Sequence, residues 1–257
     1  MCIRGPRAPG YILKKERDMK SLIVGKGQVG TSLFEVVSPF HETLIKDVED
    51  LEAEDVEVLH LCFPYTDKFI EAANVYIAKY QPKLTINHAS VPVGTTEKLS
   101  GNCVYSPIRG KHPNMANDIK VFTKFVAGEK EASDLAREYF VSCNLETVWV
   151  QNIRSLEFCK LMSNVRYGYE ICFMQEAERI ANKLGADINM FLFFEADYNS
   201  GYDKLNQGNM KRPLLYGGLI GGHCVMQNAD IINEQAPSEM INWMRFSNIK
   251  KSIEKGE

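Results

Sequence analysis

Several features are scarce in this sequence. It has 2 tryptophans in 257 residues, no two cysteines at Cys-x-x-Cys spacing, and no uninterrupted apolar run near the roughly 20 residues that span a bilayer. The missing run argues against a membrane helix, and the N-terminus lacks the apolar centre of a signal peptide, so the expected location is the cytoplasm. Seven scattered cysteines, an odd number, fit neither a disulfide framework nor a structural zinc site. Reduced thiols are expected, and no metal site is. There is no excess of either charge: 30 Lys and Arg against 33 Asp and Glu are interspersed, for a net charge of -3. Such a surface has no general attraction for phosphate backbones or anionic lipid, so nucleic acid and membranes are set aside as partners. Internal repeats and low-complexity tracts are missing too.

What is present is a soluble, two-domain composition, 45% hydrophobic and 25% charged. Residues 1–18 are basic and carry Gly and Pro, and read as a flexible extension without function. From Ser21, short β-rich runs alternate with helical stretches, the pattern of an α/β Rossmann-type doubly wound parallel sheet. Strands are predicted at 21–24, 43–45, 56–63, 84–87, 103–106, 124–128 and 147–150, with helices over 28–37, 67–80 and 131–143. The gap between Ile45 and Val56 is short for a parallel crossover with a helix, so one peripheral βα unit is expected to be missing. After Gln151 the period changes. A stretch from about Ser155 to Leu184 spaces Leu156, Cys159, Leu161, Met174 and Ile180 as a long amphipathic helix. Gly185 stops it, Asp187 caps a following helix through Tyr198, and a Gly- and Asn-rich loop over 199–222 precedes a last helix near 238–246. The organisation is therefore an extension over 1–18, a Rossmann domain over 19–152 and a smaller all-α domain over 153–257.

Four segments carry chemistry. GKGQVG at 25–30 follows the first strand and opens the first helix. In that setting Gly25 permits a tight turn, Gly27 lets a diphosphate approach the backbone, Gly30 lets helix pack on strand, and Gln28 and Val29 present amides. Asp47 follows the second strand, where a carboxylate accepts from ribose hydroxyls and repels a 2′-phosphate, which favours NAD over NADP. Lys160 and Asn164 lie four apart on one helix face and can address a single oxygen; an ordinary exposed pair has the same spacing. GGLIGGHC at 217–224 is a glycine-dense turn ending in Cys224, which is either a reactive thiol assisted by His223 or an inert one. Cys62, Cys103, Cys143, Cys159 and Cys172 fall within strand or helix patterns and read as core. Ser90 stands at the end of a parallel strand, a ligand position in open sheets, and equally suits a helix cap.

In order and spacing, GKGQVG, LHLCFPYTD, ASVPVGTTEKL, CVYSPIRG, FCKLMSN with EAERIANKLGADI, and RPLLYGGLIGGHC resemble the UDP-glucose/GDP-mannose dehydrogenase family from Lys20 to about Asn228. The resemblance implies NAD-dependent oxidation of a sugar C6 hydroxyl. It places the family's thiohemiacetal-forming cysteine on Cys224, its oxyanion-stabilising lysine and asparagine on Lys160 and Asn164, and its water-positioning hydroxyl on Ser90, where Thr is usual. Pro64 and Tyr65 match the loop that touches the cofactor, with Tyr65 standing for Thr. A homodimer through the long helix is implied as well. The sequence departs from the family at Ile108, where a glutamate assists thioester hydrolysis, and at Asn228, where an acid is usual. It ends about thirty residues beyond Cys224, before the domain that closes over the nucleotide. Two other readings stand beside this one: a two-electron enzyme like the 3-hydroxyacid dehydrogenases, using Lys160 and Asn164 without the cysteine, and an inactive NAD-binding homologue. The substrate expected is a small molecule, a sugar nucleotide or a hydroxy acid.

Overall fold

Strands form where runs of four apolar or β-branched residues can be buried on both faces, as in a parallel sheet. β1 (Ser21–Val24), β3 (Val58–Leu61) and β4 (Leu84–Asn87) are buried at every residue. With β2 (Thr43–Lys46), β5 (Cys103–Tyr105), β6 (Lys124–Ala127) and β7 (Thr147–Val150) they make one seven-stranded sheet in the order β2-β1-β3-β4-β5-β6-β7. The computed structural model describes residues 19–111, 113–221 and 223–256; the 1–18 extension and the His223 side chain fall outside the described residues. The chain divides into two units at Glu157 and Phe158.

In the first unit, helices α1 (Gln28–Val37), α2 (Phe69–Tyr80), α3 (Met115–Val121) and α4 (Lys130–Ser142) flank the sheet. Two apolar clusters bury its faces. One is built on Ile23, Leu33, Ile86, Val104 and Phe140, the other on Leu22, Leu59, Leu61, Phe69 and Tyr105. The sheet is not parallel throughout. β6 runs antiparallel to β5, joined at Tyr105 and Ala127, and β7 runs parallel to β6. The connection over 106–123 holds only the seven-residue α3, which packs beside α1 with Met115, Ala116 and Ile119 in the core. Between β2 and β3 the chain crosses β1 over 47–57 with no helix, as the short Ile45–Val56 gap predicts. Tyr80 Oη donates to the Leu51 carbonyl at 2.7 Å, and Lys79 pairs with Asp50 and Glu52, holding this bare connection against α2.

One face of the sheet also buries a polar chain. His88 Nδ1 donates to the Ser106 carbonyl, so its Nε2 accepts from His60 Nδ1 at 2.9 Å, and His60 Nε2 lies 3.1 Å from Tyr139 Oη, which donates to Ser21 Oγ at 3.2 Å. Each imidazole is neutral with a fixed tautomer. Burial pushes the His60 pKa down to about 3 and that of His88 well below its ordinary value, and the Lys124 ammonium nearby adds to both shifts. Lys124 itself donates to the carbonyls of Ser106 and Pro107 at 3.1 and 3.2 Å.

The second unit is all helix and loop. It comprises α5 (Ile153–Leu184) from Phe158 onward, α6 (Ile188–Lys204), α7 (His223–Gln235) and α8 (Glu239–Lys255). Asp187 caps α6 as its sequence suggests, accepting from Asn189 N at 2.9 Å. α6 runs past Tyr198 because Tyr198 and Tyr202, one turn apart, bring their rings within 4.8 Å. Gly168 lets α5 meet its neighbours closely. A Cβ there would stand 2.6 Å from Val225 Cγ1 of α7 and 2.9 Å from Met244 Sδ of α8.

Candidate functional site

The turn after β1 is built by what its glycines leave out. Gly25 has φ +108°, and a Cβ there would lie 2.8 Å from the carbonyl of Cys62 at the end of β3. At Gly30 a Cβ would come within 1.8 Å of the Gly25 carbonyl oxygen, so the close return of α1 onto the turn requires glycine. Gly27 differs from both. It is the N-cap of α1 with ordinary negative φ, and a Cβ there would meet nothing within 4 Å. No side chain caps this helix, and its first turn carries no acid. The first-turn amides of Gln28 and Val29 are therefore left without a side-chain cap at the positive end of the helix, the electrostatics an anion needs.

Strand register carries the other candidates of this unit to the same edge. Val24 pairs with both Lys46 and Leu61, and Leu61 with Asn87, so Gly25, Asp47, the Phe63-Pro64-Tyr65 loop and Ser90 all follow the carboxyl ends of adjacent parallel strands. The chain reverses its direction of travel across the sheet at β1, the switch point where open α/β sheets form a crevice. Asp47 and Pro64 are exposed, while Tyr65 and Ser90 are half-buried. Lys26, inside the glycine turn, hydrogen-bonds Glu49 and draws that carboxyl down to about 2, tying the turn to the 47–57 connection.

Glu157 was not among the candidates read from the sequence. It is fully buried, and its carboxylate accepts from the backbone amides of Gly94 and Thr96, the loop that follows Ser90. Burial raises its pKa, against the pull of those two amides. The one cue in the sequence was its place three residues before Lys160, one helical turn away. The buried Tyr105 and Ser106 hydroxyls, at the end of β5, have no partner among the described residues.

In the second unit, Lys160 and Asn164 are half-buried on one stripe of α5, which continues to Gly168. Val225 packs at Gly168, so the stripe that bears the lysine and asparagine also receives the first turn of α7, where Cys224 stands exposed. Cys159 is exposed as well, contrary to its reading as core. An i, i+4 spacing does not keep a helix of 32 residues on one buried face over its whole length. Cys62 and Cys143 are buried and Cys103 partly so, with thiols pushed up to about 12, 12 and 11; Cys172 is buried too. Asn228, one turn beyond Cys224, is buried and its amide nitrogen lacks a partner among the described residues. Ile108, where the resemblance leads one to expect a glutamate, lies within the first unit's apolar core. Among the described residues no group of three His, Cys, Asp or Glu is arranged to hold a metal, and no helix is long and apolar enough to cross a membrane.

No protein-family model matches the sequence, and no curated protein does. Solved structures do. UDP-D-ManNAc dehydrogenase from Pyrococcus horikoshii superposes with a TM-score of 0.75 at 17% identity, over 93% of this chain and 70% of its own. The chain has an α/β Rossmann-type fold. A UDP-glucose dehydrogenase from Pyrobaculum islandicum gives 0.71 at 16% identity, over 94% and 70%. Mycobacterium tuberculosis 3-hydroxyisobutyrate dehydrogenase gives 0.67 at 12% identity, over 92% of this chain and 94% of its own.

Proposed function

We propose that the chain is an NAD-dependent oxidoreductase acting on a primary alcohol such as the C6 hydroxyl of a sugar or sugar nucleotide. The observation that carries this reading is the uncapped, unobstructed amide turn at Gly27, at the sheet's switch point. Gly25, Gly27, Gln28, Val29 and Gly30 would hold the diphosphate. The Asp47 carboxylate accepts from ribose hydroxyls, which selects NAD, and Pro64, Tyr65 and Ser90 border the nicotinamide side of the same edge. When bound, NAD supplies the hydride acceptor.

The second unit supplies the groups that act on the alcohol. The Lys160 ammonium and Asn164 carboxamide stabilise the oxygen as its proton leaves, and loss of hydride from carbon completes a two-electron oxidation to the aldehyde. Cys224 then adds its sulfur to the aldehyde carbon, with the thiol proton passing to the carbonyl oxygen, to give a thiohemiacetal. With apolar Ile108 in place of glutamate, the chain lacks the group that would assist thioester hydrolysis, so the reading stops at two electrons. A homodimer through the long helix belongs to it, supported by the exposure of Phe173, Ile180 and Leu184 at 51 to 77%. Sedimentation velocity tests that point. A cytoplasmic location belongs to the reading too, and the six cysteines among the described residues are free thiols.

One observation favours a second reading. The match to 3-hydroxyisobutyrate dehydrogenase spans 94% of that protein, which suits a hydroxyacid enzyme needing Lys160 and Asn164 but not Cys224. NADH formation across sugar nucleotides and hydroxy acids, with wild type and Cys224→Ser, separates the two. A substrate-derived adduct on Cys224, seen by intact mass in wild type and missing from Cys224→Ser, supports the alcohol reading, and turnover on hydroxy acids with no adduct replaces it with the hydroxyacid one. NAD affinity without turnover on any member of the panel points to an inactive binding protein.

A further inference from the structure

The segment over 211–221 that leads into α7 has no regular structure, so its backbone polar groups must be paired by something else. Two asparagines do this in the same way. Asn199 of α6 closes both backbone groups of Arg212, accepting from its N and donating to its O at 2.8 Å each. Asn248 of α8 closes both backbone groups of Ile220, accepting from its N at 2.8 Å and donating to its O at 3.4 Å. A carboxamide carries the donor and acceptor of a peptide group, so each asparagine acts as a single residue of a neighbouring strand.

The register of this strap is set between the clamps. At Gly217 it lies directly on α5, where a Cβ would stand 2.7 Å from Gln175 N and 2.8 Å from the Met174 carbonyl, so no other residue of the strap with a side chain can take that place. Gln175 reinforces the clamp from below. Its Nε2 donates to the Gly218 carbonyl at 2.8 Å and to Asn248 Oδ1 at 3.3 Å, while its Oε1 accepts from Ser247 Oγ at 2.7 Å. These bonds fix which end of the Asn248 amide faces Ile220. Four residues beyond Ile220 comes Cys224, and Val225 is seated at Gly168 on the stripe of Lys160 and Asn164.

We propose that Asn248 is a positioning residue for Cys224. By closing both backbone groups of Ile220 it sets the register of the strap, and thereby the place where α7 begins and its first-turn thiol stands. The catalytic consequence rests on the reading of Cys224 as the reacting thiol, since a reacting atom displaced by about 1 Å can cost about a hundredfold in rate. The architectural claim does not rest on turnover, and its test needs neither substrate nor NAD.

In the full chain, iodoacetamide modification of Cys224 is followed by mass spectrometry with exposed Cys159 as internal reference. Asn248→Ala frees the start of α7, and the Cys224 to Cys159 rate ratio is expected to rise about fivefold, as the loss of roughly one net hydrogen bond predicts. Asn248→Asp, which keeps the acceptor for the Ile220 amide, should bring the ratio most of the way back. Asn242→Ala removes a similar bond, from Asn233 at 3.0 Å, that does not touch the strap, and should leave the ratio alone. A ratio unchanged in Asn248→Ala, in protein whose thermal melt shows it folded, overturns the proposal. So does an equal rise in Asn242→Ala. Turnover with no substrate-derived adduct on Cys224 counts against the functional reading instead, and leaves this ratio to decide the clamp separately.

Discussion

In the first unit Leu22, Ile23, Leu59, Leu61, Leu84 and Ile86 have no exposed surface, whereas in the second Leu184, Phe193, Phe194, Tyr216 and Ile253 stand more than half in solvent. The same contrast holds for the glycines that matter. Gly25, Gly30 and Gly217 all lie against backbone, but the strap around Gly217 is held in addition by side-chain amides from α5 and α8. In the unit with the closed core, backbone packed on backbone fixes the glycine turn, with the Lys26–Glu49 pair beside it. A unit that leaves apolar helix faces open has to fix its loops by directed hydrogen bonds, and has surface left for a partner.

The sharpest way to break the comparison lies within a single turn. Gly30→Ala, with its Cβ 1.8 Å from a carbonyl oxygen, should cost more than about 4 kcal/mol and leave little folded protein, read as soluble yield and melting temperature. Gly27→Val adds a larger side chain two residues from Gly25 and should melt within a few degrees of wild type, because nothing stands within 4 Å of the new Cβ.

Acid should act next most strongly, and on the first unit. His60 and His88 are held neutral, with pKa values below the ordinary 6.5, so the unfolded chain binds more protons than the folded one at acid pH. Their contribution is fully present above pH 6.5 and is lost as pH falls below it. Urea unfolding between pH 7.5 and 4.5 should show stability falling with a slope that approaches about 2.7 kcal/mol per pH unit, two groups at about 1.36 each. In His60→Gln the slope should halve. A flat profile would mean that the pair is not buried as described.

The smallest effect is a pattern rather than a loss. Native alkylation should label Cys159 and Cys224 and spare Cys62, Cys143 and Cys172 until urea is added, as burial and their raised thiol pKa values require. Early labelling of Cys172 would mean that the second unit opens more readily than its packing implies.

The first unit was also the more legible in sequence. β1, β4 and β7 agree with their apolar runs to the residue, and the glycine turn and its acid fall where the motif places them. The reversal at β6 was not legible, because strand direction leaves no mark on a four-residue run. β3 is shorter than the apolar stretch over 56–63, since Cys62 and Phe63 leave the ladder to meet Gly25. In the second unit α7 went unread. Asn228, Asp230 and Asn233 weaken its helical signal, and its first turn seats Val225 against Gly168, a contact that only the folded chain reveals. Glu157 and the His60–His88 pair escaped for a related reason: a buried polar residue looks like an exposed one until its partners are in view.

The central claim is that the Gly27 turn holds the diphosphate of NAD, and calorimetric titration of NAD into wild type and Gly27→Val tests it most directly. The account predicts saturable uptake by wild type and at least a hundredfold weaker binding by a variant that melts at nearly the same temperature. Heat of binding that is equal in the two proteins, or no uptake by folded wild type, would contradict it.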